Sequence, residues 1–123
     1  MTLRARLLGL RRGVTVARDV RVEVARGASL SVGRGCILAP GVRILVRGGA
    51  VRLGSAVRLE DGCRIVCHAG IDIGDWAVLG PQSAVMDAEH ATMATVTIGA
   101  GARLGAGAVD LAGAEVPAGA VLA

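Results

Sequence analysis

The sequence predicts an all-β solenoid, in which short strands wind into about five stacked coils after a short basic N-terminal segment. Three observations carry this: aliphatic residues recur every six positions, large aromatics are almost missing, and glycine is abundant. Of 123 residues, 19 are Gly, 53% are hydrophobic, Phe and Tyr are absent, and Trp76 is the only aromatic. A compact interior ordinarily needs large aromatic and aliphatic side chains, whereas Val, Leu, Ile, Ala and Gly suit narrow repetitive packing. The length holds one domain, with residues 1–13 as the basic capping segment and 14–123 as the repeat.

The repeat is visible when four segments are stacked: "VGRGCILAPGVRI" from Val32, "LGSAVRLEDGCRI" from Leu53, "IGDWAVLGPQSAV" from Ile73 and "IGAGARLGAGAVD" from Ile98. The aliphatic positions are Val32, Leu38, Ile44; Leu53, Leu59, Ile65; Ile73, Leu79, Val85; Ile98, Leu104. Four residues further on stand mostly small side chains such as Cys36, Cys63, Ala77 and Ala102. A period of six matches neither the 3.6 of a helix nor the 2 of a strand. It matches short strands separated by turns, each with one aliphatic residue facing inward. Three such units make an 18-residue triangular coil. An earlier coil from Val14 to Val32 fits the same length, at the cost of placing Arg26 in an inward slot. Five coils would form a prism about 24 Å tall.

The spacings Val32–Leu53, Leu53–Ile73 and Ile73–Ile98 exceed 18 by 3, 2 and 7 residues. Each surplus falls near the third unit, so the extra residues should project from one edge. The largest surplus lies in "VMDAEHATMATVTIG", residues 85–99. In strict register Glu89 would enter the core, where an unpaired carboxylate is costly, so the strand must end by about Asp87. A loop carrying Asp87, Glu89 and His90 is therefore expected to leave the prism, and loops over rigid scaffolds often carry function. His68, one coil earlier near the same edge, reads more readily as a packing residue. Asp110 falls in an inward slot, which calls for a slip to Leu111 or a distorted last coil. Trp76 falls in an outward one.

With "IGDWAVLGPQSAVMDAEH", then "VTIGAGARLGAGAV", then "VPAGAV", the chain resembles the left-handed β-helix hexapeptide acyltransferases, the sugar O-acetyltransferases among them, over residues 14–121. The resemblance implies left-handed coils, against the usual crossover rule. It also implies a homotrimer with active sites between subunits and acetyl-CoA as acyl donor. His90 resembles the base that deprotonates the acceptor hydroxyl, a task for a group titrating near neutrality. Asp87 and Glu89 resemble acids that orient the imidazole or contact the sugar. Gly105 and Ala106 resemble the segment whose backbone meets the acyl-pantetheine arm, where close approach requires small residues. Against the family pattern, the loop after the histidine is shorter and about one coil fewer precedes "VPAGAV".

Charge is divided along the chain. Residues 1–58 hold twelve arginines against Asp19 and Glu23, or +10; residues 59–123 hold Arg64 and Arg103 against eight acids, or −6. The basic half should favour an anionic surface, a membrane among them. No aromatic platform interleaves the arginines, which disfavours nucleic acid. Two histidines without ligand spacing disfavour a zinc hydratase on this prism, so no metal is expected. No stretch approaches the roughly 20 apolar residues that cross a bilayer, and the start lacks the apolar core of a secretion signal. Cys36, Cys63 and Cys67 are an odd count, which points to reduced thiols and a cytoplasmic setting. The rival to an enzyme is a non-catalytic scaffold of the bactofilin kind, polymerising head to tail through its oppositely charged ends.

Overall fold

The six-residue period becomes a three-sided prism of parallel strands in a computed structural model that describes residues 13–89, 92–110 and 112–122. The first coil is β1 (Thr15–Val16), β2 (Arg21–Val24) and β3 (Ser29–Val32); the second is β4 (Ile37–Leu38), β5 (Arg43–Val46) and β6 (Ala50–Leu53). The third is β7 (Arg58–Leu59), β8 (Arg64–Cys67) and β9 (Gly70–Ile73). The fourth runs β10 (Val78–Leu79) and β11 (Ala84–Met86), detours through β12 (Ala88–Glu89) and β13 (Thr92–Met93), and resumes at β14 (Val96–Ile98). The fifth is β15 (Arg103–Leu104), β16 (Val109–Asp110) and β17 (Glu115–Val116), and β18 (Val121–Leu122) opens a sixth.

Each coil contributes one strand to each face. The first face is β1-β4-β7-β10-β15-β18, the second β2-β5-β8-β11-β16 and the third β3-β6-β9-β14-β17. Within them neighbouring strands pair in parallel, Leu38 with Leu59, Ile44 with Ile65, Val51 with Ile71. The architecture is an all-β parallel β-helix of five coils, consistent with the left-handed form that the resemblance implies.

Because successive side chains alternate across a strand, every second residue turns inward, and the six-residue repeat sets one principal aliphatic column on each face. Leu38, Leu59 and Leu79 line it on the first face, Ile44, Ile65 and Val85 on the second, Leu53, Ile73 and Ile98 on the third, all buried. Cys36, Cys63 and Cys67 fill narrow positions beside them as free, buried thiols. Burial pushes the Cys63 thiol up to about 11.

Residues in the left-handed region turn the chain between faces. Before the first face stand Gly13, Gly35, Ala56, Trp76, Gly101 and Gly119, with φ between 58° and 76°. Glycine takes this conformation freely; a residue with a Cβ does so at about 1 kcal/mol or more. Next to this column the coils nearly touch. A Cβ added at Gly33 would lie 2.5 Å from the Gly54 carbonyl oxygen in the next coil.

Register pairs Val16–Leu38, Leu38–Leu59, Leu59–Leu79, Leu79–Leu104 and Leu104–Leu122 give coils of 22, 21, 20, 25 and 18 residues. From first face to second the step is six throughout, as from Leu38 to Ile44, and from third face to first it is six again, as from Leu53 to Leu59. All surplus therefore falls at the corner between the second and third faces. The first coil corrects its 18-residue expectation: its inward residue on the second face is Val22, partner of Ile44, and four surplus residues carry Arg26 to an exposed corner. The expected N-terminal cap falls, apart from Gly13, outside the described residues. So does Leu111, while the backbone of Asp110 keeps register with Val85.

Candidate functional site

At the surplus corner the third and fourth coils form the candidate site. In the third, β8 ends at buried Cys67 and the chain turns through His68, Ala69 and Gly70. In the fourth, β11 ends at Met86 and Asp87 follows, wholly buried. Asp87 Oδ1 accepts the His68 backbone N–H at 2.7 Å. Its Oδ2 accepts the Ala69 and Gly70 N–H groups at 2.7 and 2.6 Å, and the Cys67 thiol donates to it at 3.6 Å. Successive backbone donors at a turn form a natural cradle for an anion, and here the anion is a side chain from the coil above.

Burial works to raise the Asp87 pKa, and the three backbone donors with the thiol outweigh it, so the carboxyl stays below its ordinary value. Burial, reinforced by the same carboxylate, pushes the Cys67 thiol up to about 12. His68 Nδ1 faces Asp87 Oδ1 at 3.7 Å, beyond hydrogen-bond reach. That nitrogen is buried and has no hydrogen-bond partner among the described residues, although the side chain is 35% exposed.

Beyond Asp87 the chain leaves the prism as an antiparallel hairpin, β12 paired with β13 through Ala88–Met93 and Glu89–Thr92. The Ala94 N–H closes its base on the Asp87 carbonyl at 3.0 Å. Thr92 and Met93 are exposed. The prism resumes where Val96 pairs with Ile71. On the third face, beside this corner, lies a groove of about 350 Å³. Its lining includes the small residues Ala50 and Gly70 and the polar Arg52, Asp72, Thr95 and Thr97.

The residues singled out from sequence distribute as follows. Asp87 remains inside the prism rather than on the loop, and the excursion starts one residue later. A carboxylate that is buried and engaged at both oxygens is closed to an acceptor sugar. Glu89 ends β12, with its side chain outside the described residues, as is His90 altogether. Gly105 and Ala106 lie at the corner between the first and second faces, so within one chain the second face separates them from the hairpin. Among the described residues no group of three His, Cys, Asp or Glu could hold a metal ion, and no helix is long and apolar enough to cross a membrane. The contact between Asp87 and the 68–70 backbone escapes sequence reading, because it depends on which residue of one coil stands above which residue of the next.

No family model matches the chain, and no curated protein matches it. Among solved structures, WeeI from Acinetobacter baumannii AYE superposes with a TM-score of 0.54 at 18% identity, over 97% of this chain and 61% of that one. The chain shares its fold with WeeI. Two structures of the acetyltransferase domain of PglB from Neisseria gonorrhoeae FA1090, one in complex with acetyl coenzyme A, give TM-scores of 0.40 and 0.35 at 18% and 20% identity. Each match covers 96% of this chain and 58% of that domain. The chain thus spans about three fifths of the length of the structures it matches.

Proposed function

We propose that the chain is a coenzyme A-dependent acyltransferase that moves an acetyl group to a hydroxyl of a sugar or glycan precursor. The observation that carries this reading is the hairpin of β12 and β13, raised at one edge of a rigid prism and pinned by buried Asp87, the residue that opens the "DAEH" sequence of the resemblance. A solenoid that only scaffolds has no need of such an excursion.

In this reading His90 accepts the proton of the acceptor hydroxyl as its oxygen attacks the thioester carbonyl. The carbon–sulfur bond then breaks, and the proton passes to the departing thiolate. Glu89 orients the imidazole. Asp87 acts through the fold, holding the hairpin base. Gly105 and Ala106, which carry no side chain beyond a methyl, leave their backbone open to the pantetheine arm. Because they stand one face away from the hairpin, a complete site needs a second subunit. The proposed assembly is therefore a homotrimer, set in the cytoplasm, with its basic half able to rest on an anionic membrane surface.

A second assignment of the base is favoured by one contact, the buried Nδ1 of His68 opposite Asp87. Replacing the two histidines separately decides between them. If His90 is the base, His90→Ala lowers turnover by about 10²- to 10⁴-fold with the fold intact, and His68→Ala has a much smaller effect. The reverse pattern moves the base to His68, and full activity in both variants removes histidine catalysis from this edge.

A further inference from the structure

The outer side of the second face carries a column of cations. Register places Arg21 against Arg43 and Arg43 against Arg64, so three guanidinium side chains rise on successive rungs. Rungs lie about 4.8 Å apart, and all three residues are exposed. Like charges directly opposite each other destabilise a sheet. Acidic partners would relieve an exposed column of this kind; among the described residues this one has none. Glu60 and Asp61 are near in sequence and Asp19 and Glu23 flank Arg21, yet among the described residues no carboxylate lies within 4.0 Å of these guanidiniums. No described side chain accepts a hydrogen bond from these guanidiniums.

The ladder also borders a concavity. A depression of about 350 Å³ is lined by Gly41, Arg43, Gly62, Arg64 and Gln82. Gln82 is held in the left-handed region at φ 60°, and its side-chain amide lies over Gly62, where any Cβ would collide with it. The lining thus comprises two guanidiniums, one amide and two glycines, without a carboxylate. Guanidinium forks match phosphate oxygens in a bidentate manner. A single carboxylate would serve one rung and leave the repulsion between the others, whereas linked or clustered phosphates answer the whole column.

We propose that Arg21, Arg43 and Arg64, with the Gln82 amide, form a binding site for an oligophosphate. The site uses no residue of the hairpin corner; Gln82 lies one rung below the Gly105–Ala106 segment, where the Gly107 N–H donates to the Pro81 carbonyl at 2.9 Å. Its ligand is a soluble diphosphate or the phosphates of clustered lipid headgroups.

The test titrates the full chain with inorganic pyrophosphate at low salt by calorimetry, and measures sedimentation with vesicles of phosphatidic acid and of phosphatidylcholine. Pyrophosphate should bind at submillimolar concentration and raise the melting temperature. Arg43→Gln combined with Arg64→Gln should weaken binding by about 10-fold or more. Arg34→Gln, elsewhere in the basic half, should leave it unchanged. With no ligand, the double variant should melt at or above the wild type, because the repulsion is relieved, and this separates a lost site from a lost fold. Binding to phosphatidic acid vesicles that pyrophosphate displaces identifies the lipid source; pyrophosphate binding without vesicle binding identifies the soluble one. Equal losses in the Arg34 variant and the double variant, or no binding to either probe, overturn the proposal.

Discussion

Asp87 shows how one residue joins fold and site. An isolated carboxylate in a protein interior is heavily penalised, and its place here is secured by three backbone N–H donors in the coil below. Asp87→Asn substitutes a neutral amide for the anion those donors face, and should cost about 3 kcal/mol on chemical denaturation. The pH dependence follows from the lowered pKa. The group contributes its stability above the unfolded value, near 3.8, and loses it as pH falls through the lower folded value. The advantage of wild type over Asp87→Asn should therefore hold at neutral pH and shrink below about pH 4. An advantage that stays constant from pH 7 to pH 2.5 would contradict this account. From the sequence, Asp87 could be placed at the point where the strand must end, since Glu89 does not fit inside. Its burial could not be read, because the donors lie some twenty residues earlier and only coil stacking brings them under it.

The hairpin is the element that breaks the repeat, and the repeat tolerates it because surplus residues accumulate at one corner alone. Replacing residues 88–93 by a Gly-Gly link would shorten the 25-residue coil to 21, the length of the coil from Leu38 to Leu59. This variant should keep its melting temperature within a few degrees and lose acyl transfer. Transfer at the wild-type rate would show that the hairpin is dispensable. Strands and inward columns were legible because a six-residue period allows one arrangement of aliphatic positions. The first coil was misplaced for a physical reason: Val14, Val16, Val20, Val22 and Val24 offer competing frames, and Val16 with Val22 wins only when paired with Leu38 and Ile44. The hairpin itself was read as a plain loop, since "ATMAT" carries no turn signal that fixes a pairing.

At the scale of the molecule, a prism so poor in aromatics leaves some of its apolar surface uncovered. Trp76 is 70% exposed in the left-handed region, beside exposed Ile37 and half-buried Val78. In the proposed trimer this patch lies between subunits. Trp76→Gly should relieve the backbone strain, leave the coils folded and shift light scattering from trimer toward monomer. A wild type that is monodisperse and monomeric at micromolar concentration would contradict the trimer, and filaments that dissolve with salt would favour the scaffold, whose oppositely charged ends attract. The divided charge was readable from the sequence, as was the one-coil spacing of Arg43 and Arg64; that Arg21 joins them, and that they lack partners among the described residues, required the coils. The central claim is that this prism uses coenzyme A thioesters, and its most direct test is calorimetric titration of the purified full chain with acetyl-CoA. The account predicts saturable binding at micromolar concentration, and no binding at millimolar acetyl-CoA would contradict it.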